Sequence, residues 1–538
     1  MKKKFLLSLL FLFLLFSCKT KSTSKIEISS KDNVPAYGDT LIEGTIGEAS
    51  NLIPFLASDS ASHQVADLIY NGLVKYDKNL NLVGDLAENF KILDGGKKII
   101  FNLRRNVRWH DGKDFTAEDC VFTYKIITDP NTPTPYSGDF LKVKRVYAPD
   151  KYTFVVEYTE PFAPALASWG IAIVPKHLLE GKDITKSELS RSPIGTGPYK
   201  FDRWIPGDRI ILKANDDYFE GRPYIDKIVF KVVLDTSTAF LELRSEGIDF
   251  SGLSPLQKAK QTQTEDFRSK FNTYEYLSFS YTYMGFNLKK EIFKDLRVRK
   301  AIAYAINKKE IVKGVLFNYG VEATGPYKPD MIYYNPNVER YEYNPDRART
   351  LLKEAGYEDT NGDGILEKDG IPLRFTLLTN QGNEARIKTA EIIQRRLKDV
   401  GIEMKIYAIE WAAFIKEFIN PRRFDAIILG WTIPQDPDLY DIWHSSKMEK
   451  MGLNHLSYKN EEVDRLLEEG RRTFDVNKRK KIYFRIQEIL AQDCPMVFLY
   501  VPYALPVIHK RFKGIEPAPA GIAYNKYKWY VPKMEQKY

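Results

Sequence analysis

Beyond residue 34 the apolar positions follow two alternating rhythms. Asn344-Pro345 opens a segment in which Ala348, Leu351, Leu352 and Ala355 share one helical face, and Gly356 closes it. Thr116 and Asp119 have capping-box spacing ahead of Ala117, Cys120, Val121 and Tyr124, again on one face. The same period predicts helices over 295–307, 384–400, 461–470 and 476–491. Between them, short runs rich in β-branched and aromatic residues predict strands over 98–104, 152–158, 228–233, 374–378, 402–407 and 425–429. A helix over 384–400, then Gly401, then a strand is a unit of α/β layer architecture. Neither a short repeat nor a low-complexity linker follows Val34, so tightly joined domains are expected.

The first residues follow a different logic. Lys2-Lys3-Lys4, an apolar run from Phe5 to Phe16 and then Ser17-Cys18 predict a secretory signal over 1–17. The run is shorter than the roughly 20 residues a spanning helix needs. Leu15-Phe16-Ser17-Cys18 resembles a bacterial lipobox, which implies lipidation of Cys18, with residues 18–37 as lipidated Cys and flexible tether. Acyl chains, at about 0.8 kcal/mol per buried CH₂, would anchor the body to a membrane on its extracytoplasmic, periplasmic or cell-surface, face. Simple secretion is the alternative.

Composition narrows the picture further. A chain of 538 residues is too long for one core, and 43% hydrophobic with 28% charged residues excludes a disordered, collagenous or polytopic membrane protein. The formal charge is +9, with Lys2, Lys3 and Lys4 contributing to it, too mild an excess to argue for nucleic acid. Lys478-Arg479-Lys480-Lys481 points around a helix and not along one face. Three Cys exclude a disulfide scaffold. Cys120 and Cys494 read better as separate buried thiols, with a disulfide left open.

Enzyme motifs are missing: the chain has no G-x-S-x-G, H-E-x-x-H, C-x-x-C or Walker loop. Gly195-Thr196-Gly197 starts like a dinucleotide fingerprint, but Lys200 stands at the third glycine and a tight turn is the better reading. No His pairs with another at metal-ligand spacing. Asp359 to Ile365 matches half of a calcium loop, yet Gly370 takes the place of its bidentate Glu, so a Gly-rich hairpin is expected. No catalytic residue, metal or other cofactor is expected.

The segment Trp109-His110-Asp111-Gly112-Lys113-Asp114-Phe115-Thr116-Ala117-Glu118-Asp119 resembles the signature of the family 5 extracellular solute-binding proteins, the peptide receptors of bacterial ATP-driven importers. Glu48 to Pro54 with Tyr70-Asn71-Gly72-Leu73, Gly195 to Tyr199, Phe286-Asn287 with Arg297 to Ile306, and Gly430-Trp431 with Asp436-Pro437-Asp438 and Ile442 to Ser445 are similar to further family segments in the same order. The resemblance implies an α/β, two-lobed periplasmic-binding-protein fold, type II and cluster C like, with an extra subdomain on the first lobe. Lobe I would comprise 38–60, 192–283 and 500–538, the subdomain 61–191 and lobe II 284–499, with crossings at 283–287 and 495–503. It also implies a monomeric receptor that captures oligopeptides by hinge closure and hands them to the permease subunits of an ABC importer. A receptor for sugars or another small polar solute is the alternative within the fold. Nickel capture, a secreted hydrolase using Asp436 and Asp438, and a structural surface protein are more distant.

Within that frame the loop from 430 to 445 follows the end of a strand, where α/β clefts open. Trp431 would form an apolar platform, Tyr440 and Trp443 would line side-chain pockets, and Thr432 would be a further ligand-binding residue. Ser60 would contribute from lobe I, and Tyr283 and Asn287 from beside the first crossing. Peptide-binding relatives place an Asp three residues after this Trp to hold the ligand's amino terminus. Here Pro434 stands there, so Asp436 is the candidate replacement, or the ligand lacks a free amine.

Overall fold

In the computed structural model, which describes residues 33–45, 47–57, 59–433, 435–449 and 452–538, two mixed seven-stranded sheets carry most of the core. The predicted signal, Cys18, most of the tether and Pro434 lie outside the described residues.

The first sheet runs, edge to edge, through Phe271–Thr273, Pro506–His509, Phe250–Gly252, Thr40–Thr45, Lys227–Val232, Arg209–Ala214 and Tyr199–Ile205. Thr40–Thr45 is parallel to both of its neighbours. Distant parts of the chain meet in this sheet: Arg511, itself buried, pairs with buried Asp39 and, at 2.8 Å, with Asp249. The second sheet runs Tyr276–Leu277, Met496–Ala504, Ser280–Phe286, Ala426–Thr432, Arg374–Asn380 and Glu403–Ile409, and Gly320–Glu322 pairs with Met496–Ala504. Its central strands are covered on both faces, because alternate residues enter different cores. Met284 and Phe286 pack with Leu296–Ala305, Pro345–Glu354 and Glu384–Lys398. Tyr281 and Tyr283 pack with Glu461–Arg472 and Val476–Asp493. A four-stranded antiparallel sheet, Ala87–Leu93, Lys98–Leu103, Thr153–Tyr158 and Val143–Asp150, lies within 61–191 with helix Ala117–Thr128.

Local chemistry accounts for these boundaries. Asn344 Oδ1 accepts the Arg347 N–H at 2.9 Å, and Asp119 Oδ2 accepts the Thr116 N–H at 2.9 Å, closing the capping box. The Gly195-Thr196-Gly197 turn explains its own glycines: a Cβ on Gly195 would stand 1.9 Å from the Ile69 carbonyl oxygen. Backbone packing against backbone, and not phosphate binding, is what this turn does. Asp359 accepts the N–H groups of Gly362 at 2.7 Å and Gly364 at 3.0 Å, and the hairpin Glu367–Lys368 and Ile371–Pro372 follows. Cys120 and Cys494 are buried free thiols. Among the described residues, no helix is long and apolar enough to cross a membrane.

The crossings expected at 283–287 and 495–503 fall inside strands Ser280–Phe286 and Met496–Ala504 of the second sheet. The chain leaves the first sheet after Thr273 and enters the second at Tyr276, and it returns between Ala504 and Pro506. The two passages are tied together, Tyr274 N–H donating to the Pro506 carbonyl at 2.9 Å and Ser278 N–H to that of Pro502 at 3.0 Å.

Candidate functional site

A cavity of about 1320 Å³ opens beyond the carboxyl ends of the parallel strands of the first sheet. Glu43-Gly44 and Ser251-Gly252 form its floor, His63, Asp67 and Tyr70 one wall, Tyr136 and Asp139 another, and Tyr524 to Lys528 a third. Tyr276 and Tyr503, beside the crossings, complete the lining. Most of its charge is balanced within the wall: Lys526 Nζ lies 2.6 Å from Glu43, and Lys75 Nζ lies 3.1 Å from Asp85 and 2.7 Å from Glu220. Burial pushes the Tyr70 phenol above its ordinary pKa, and its hydroxyl has no hydrogen-bond partner among the described residues.

The loop singled out in the sequence is built differently. Arg479 Nη1 and Nη2 each donate to an Asp436 carboxylate oxygen at 2.7 Å, a bidentate pair that occupies the charge expected to meet an amino terminus. Arg471 Nε donates to Asp438 at 2.8 Å, and its guanidinium lies 3.9 Å over the Tyr440 ring, which stacks on His444 at 4.1 Å. Tyr327 OH donates to the Pro437 carbonyl at 2.5 Å. Trp443 and Tyr283 are buried in the hydrophobic core on one face of the second sheet. Asn287, also buried, donates to the carbonyls of Arg422 at 3.1 Å and Phe424 at 2.8 Å. Trp431 is half-buried and stacks on His455 at 5.3 Å. Burial, with Arg422 nearby, pushes the His455 pKa down to about 3, so the ring stays neutral. Thr432 is exposed and pairs in register with Ser280, and Ser60 is exposed on the first turn of Ser60–Ala66.

Of the eight, Tyr283, Trp431 and Trp443 come together around a small enclosed gap in the second sheet's core, Tyr440 packs against the same core, Ser60 lies apart on its own helix, and none of the eight lines the large cavity. Asp436 is held in an internal ion pair, Asn287 braces the backbone, and Trp443 and Tyr283 pack in the core. Glu43, Asp67, Tyr70, Tyr136, Asp139 and Lys526 take their place on the cavity wall. None of these residues stands out from the sequence as a ligand contact; the aromatic and basic run Tyr524-Asn525-Lys526-Tyr527 is a signal that could have found part of this wall.

One edge of the cavity is bridged from the second sheet's helices. Arg471 Nη2 reaches Asp139 Oδ1 at 3.4 Å, its carbonyl accepts the Ala163 N–H at 2.6 Å, and Arg472 Nε lies 3.2 Å from Glu160. Burial and the neighbouring Asp441 raise the Asp139 carboxyl to a pKa of about 7, against the opposing pull of Arg471. Tyr76 feels the same cluster: burial and Asp436 raise its phenol to about 12, with Arg479 opposing.

Residues 81–450 match the family described as bacterial extracellular solute-binding proteins, family 5 Middle. The chain is 36% identical over 542 residues to the oligopeptide-binding protein AppA of Bacillus subtilis (strain 168), covering 98% of each. The structure of that protein in complex with a nonapeptide superposes with a TM-score of 0.87, covering 93% of this chain and 100% of that one. DppA from Helicobacter pylori, in complex with the peptide STSA, is 27% identical at a TM-score of 0.82 over 93% of this chain and 99% of that one. NikZ from Campylobacter jejuni, in complex with Ni(L-His), is 30% identical at a TM-score of 0.84 over 91% of this chain and 99% of that one.

Proposed function

The chain belongs to the bacterial extracellular solute-binding proteins, family 5, and from that premise we propose that it captures oligopeptides outside the cytoplasm and delivers them to an ATP-driven importer. Its fold is the two-lobed periplasmic-binding-protein fold, and it is a receptor and not an enzyme. The observation that carries the peptide reading is the cavity of about 1320 Å³, larger than the roughly 300–1,000 Å³ that serves a drug-sized ligand, in a chain 36% identical to an oligopeptide-binding protein. A ligand touching both lobes favours the closed arrangement by its differential affinity, and the permease subunits of the importer read that arrangement.

Within this reading the hinge is the pair of crossings at 273–276 and 504–506. Lobe I is then 38–60, 192–273 and 506–538, the subdomain 61–191, and lobe II the segment between the crossings. Cys18 carries the lipid that holds the body at the membrane, and the receptor works as a monomer.

The test is native mass spectrometry of the body from Lys19 onward, purified gently and then denatured to release its cargo. A ladder of peptides is the expected result. A single sugar or metal chelate, with no peptide bound on subsequent titration, would overturn the substrate class while leaving the transport role.

A further inference from the structure

Carboxylates lining the cavity are Glu43, Asp67, Asp77, Asp85 and Asp139. Glu43, Asp85 and Asp139 have cationic partners at 2.6, 3.1 and 3.4 Å, and Asp77 accepts the N–H groups of Asn79 at 2.9 Å and Asn81 at 2.8 Å. Among the described residues, Asp67 has neither a side-chain hydrogen bond nor an ion pair. Its backbone ends helix Ser60–Ala66, its N–H donating to the His63 carbonyl at 2.9 Å, and its side chain is exposed to the cavity.

The basic side chains nearest to it are already committed. Lys526 is paired with Glu43, and His63 Nε2 sits 3.2 Å from both the Ala57 carbonyl and the Tyr136 hydroxyl. Desolvation by the surrounding wall raises the Asp67 carboxyl above its ordinary range, and His63 and Lys526 offset this only in part. Tyr70, three residues on and also lining the cavity, offers a second polar group without a partner. A carboxylate left without a partner on the wall of a cavity gains from a cation that a bound ligand buries against it. A neutral side chain of the same shape brings no such gain.

We propose that Asp67 is a specificity residue that receives the ammonium or guanidinium of a basic ligand side chain. The proposal rests on the peptide reading above and adds to it a preference for peptides carrying Lys or Arg at the position over this wall. The probes are alanine-serine nonapeptides with one Lys walked through the sequence, each matched to a norleucine peptide, and each with a free or acetylated amino terminus. Calorimetry on the chain from Lys19 is expected to show at least one Lys peptide binding tenfold or more tightly than its norleucine match, acetylated or not. Asp67→Asn erases that gain and leaves the norleucine affinity in place, while Asp67→Glu retains part of the gain, with thermal unfolding verifying that both variants are folded. A gain that persists in Asp67→Asn, a wild type with no gain at any position, or a gain abolished by acetylation overturns the proposal; the last outcome assigns the carboxylate to the peptide's own amino terminus. A wild type that binds no peptide of either series defeats the peptide reading itself and removes the premise of this one.

Discussion

Two acidic regions of the molecule, one on the cavity wall and one in a loop outside its lining, are put to opposite uses. In the loop from 436 to 441, Asp436 is clamped by Arg479, Asp438 by Arg471, and Asp441 lies 3.0 Å from Lys447. On the cavity wall Asp67, at the end of helix Ser60–Ala66, is left unmatched, although Glu43 and Asp85 on the same lining are paired. Acids conspicuous in a sequence are thus poor guides to a ligand until their internal partners are known. What recognises an external charge is the group that the fold has declined to neutralise.

The sharpest way to break this contrast is to unclamp the loop. Arg479→Ala leaves Asp436 without its counter-ion and is expected to cost about 3–5 kcal/mol in urea or thermal unfolding. A loss below about 1 kcal/mol would mean the pair is not structural. Asp436→Ala is expected to cost somewhat less, about 2–4 kcal/mol, while folded protein keeps its peptide affinity within about twofold. A selective loss of affinity for peptides with a free amine would return Asp436 to the ligand site.

The Asp139 bridge gives a pH signature. Its carboxyl titrates at about 7 with the bridge in place, against an ordinary 3.8. If opening restores the ordinary value, closure takes up a proton between those pH values. The closed arrangement then weakens relative to the open one as pH rises through that window, and levels off above about 7. Calorimetry of peptide binding at pH 6, in buffers of different ionisation enthalpy, should detect proton uptake that falls in Asp139→Asn. Equal uptake in the variant would separate Asp139 from closure. The smallest effect is expected at Asp359, whose partners are its own loop's N–H groups: Asp359→Ala should cost about 1 kcal/mol.

Much of the architecture was legible in the sequence because its signals are local. The Asn344 cap, the Thr116 and Asp119 box and the Gly401 turn each fix a boundary through residues a few positions apart. The passages between the two sheets are hard to read from sequence, because Ser280–Phe286 and most of Met496–Ala504 are buried without inward-outward alternation, while Gly285, Pro495 and Pro502 read as breaks. The site was legible only in part. Arg471 lies 33 residues from Asp438, and Arg479 lies 43 from Asp436, so no spacing reveals that those acids are already paired. The cavity wall gathers residues as distant as Glu43 and Lys526, 483 positions apart, which no local motif can join.

The strand Pro506–His509 lies between Phe250–Gly252 and Phe271–Thr273, and Arg511 just after it grips Asp39 and Asp249. A chain that emerges vectorially, amino end first, therefore exposes most of its first sheet long before the strand that must be inserted into it has been made. The second sheet has all its strands once Ala504 is out, so it is the unit able to complete itself first. The opening half of the polypeptide must wait, unsealed, for the segment from Pro506 onward, and nascent chains stopped before Pro506 should be protease-sensitive across 40–273 while 280–500 resists.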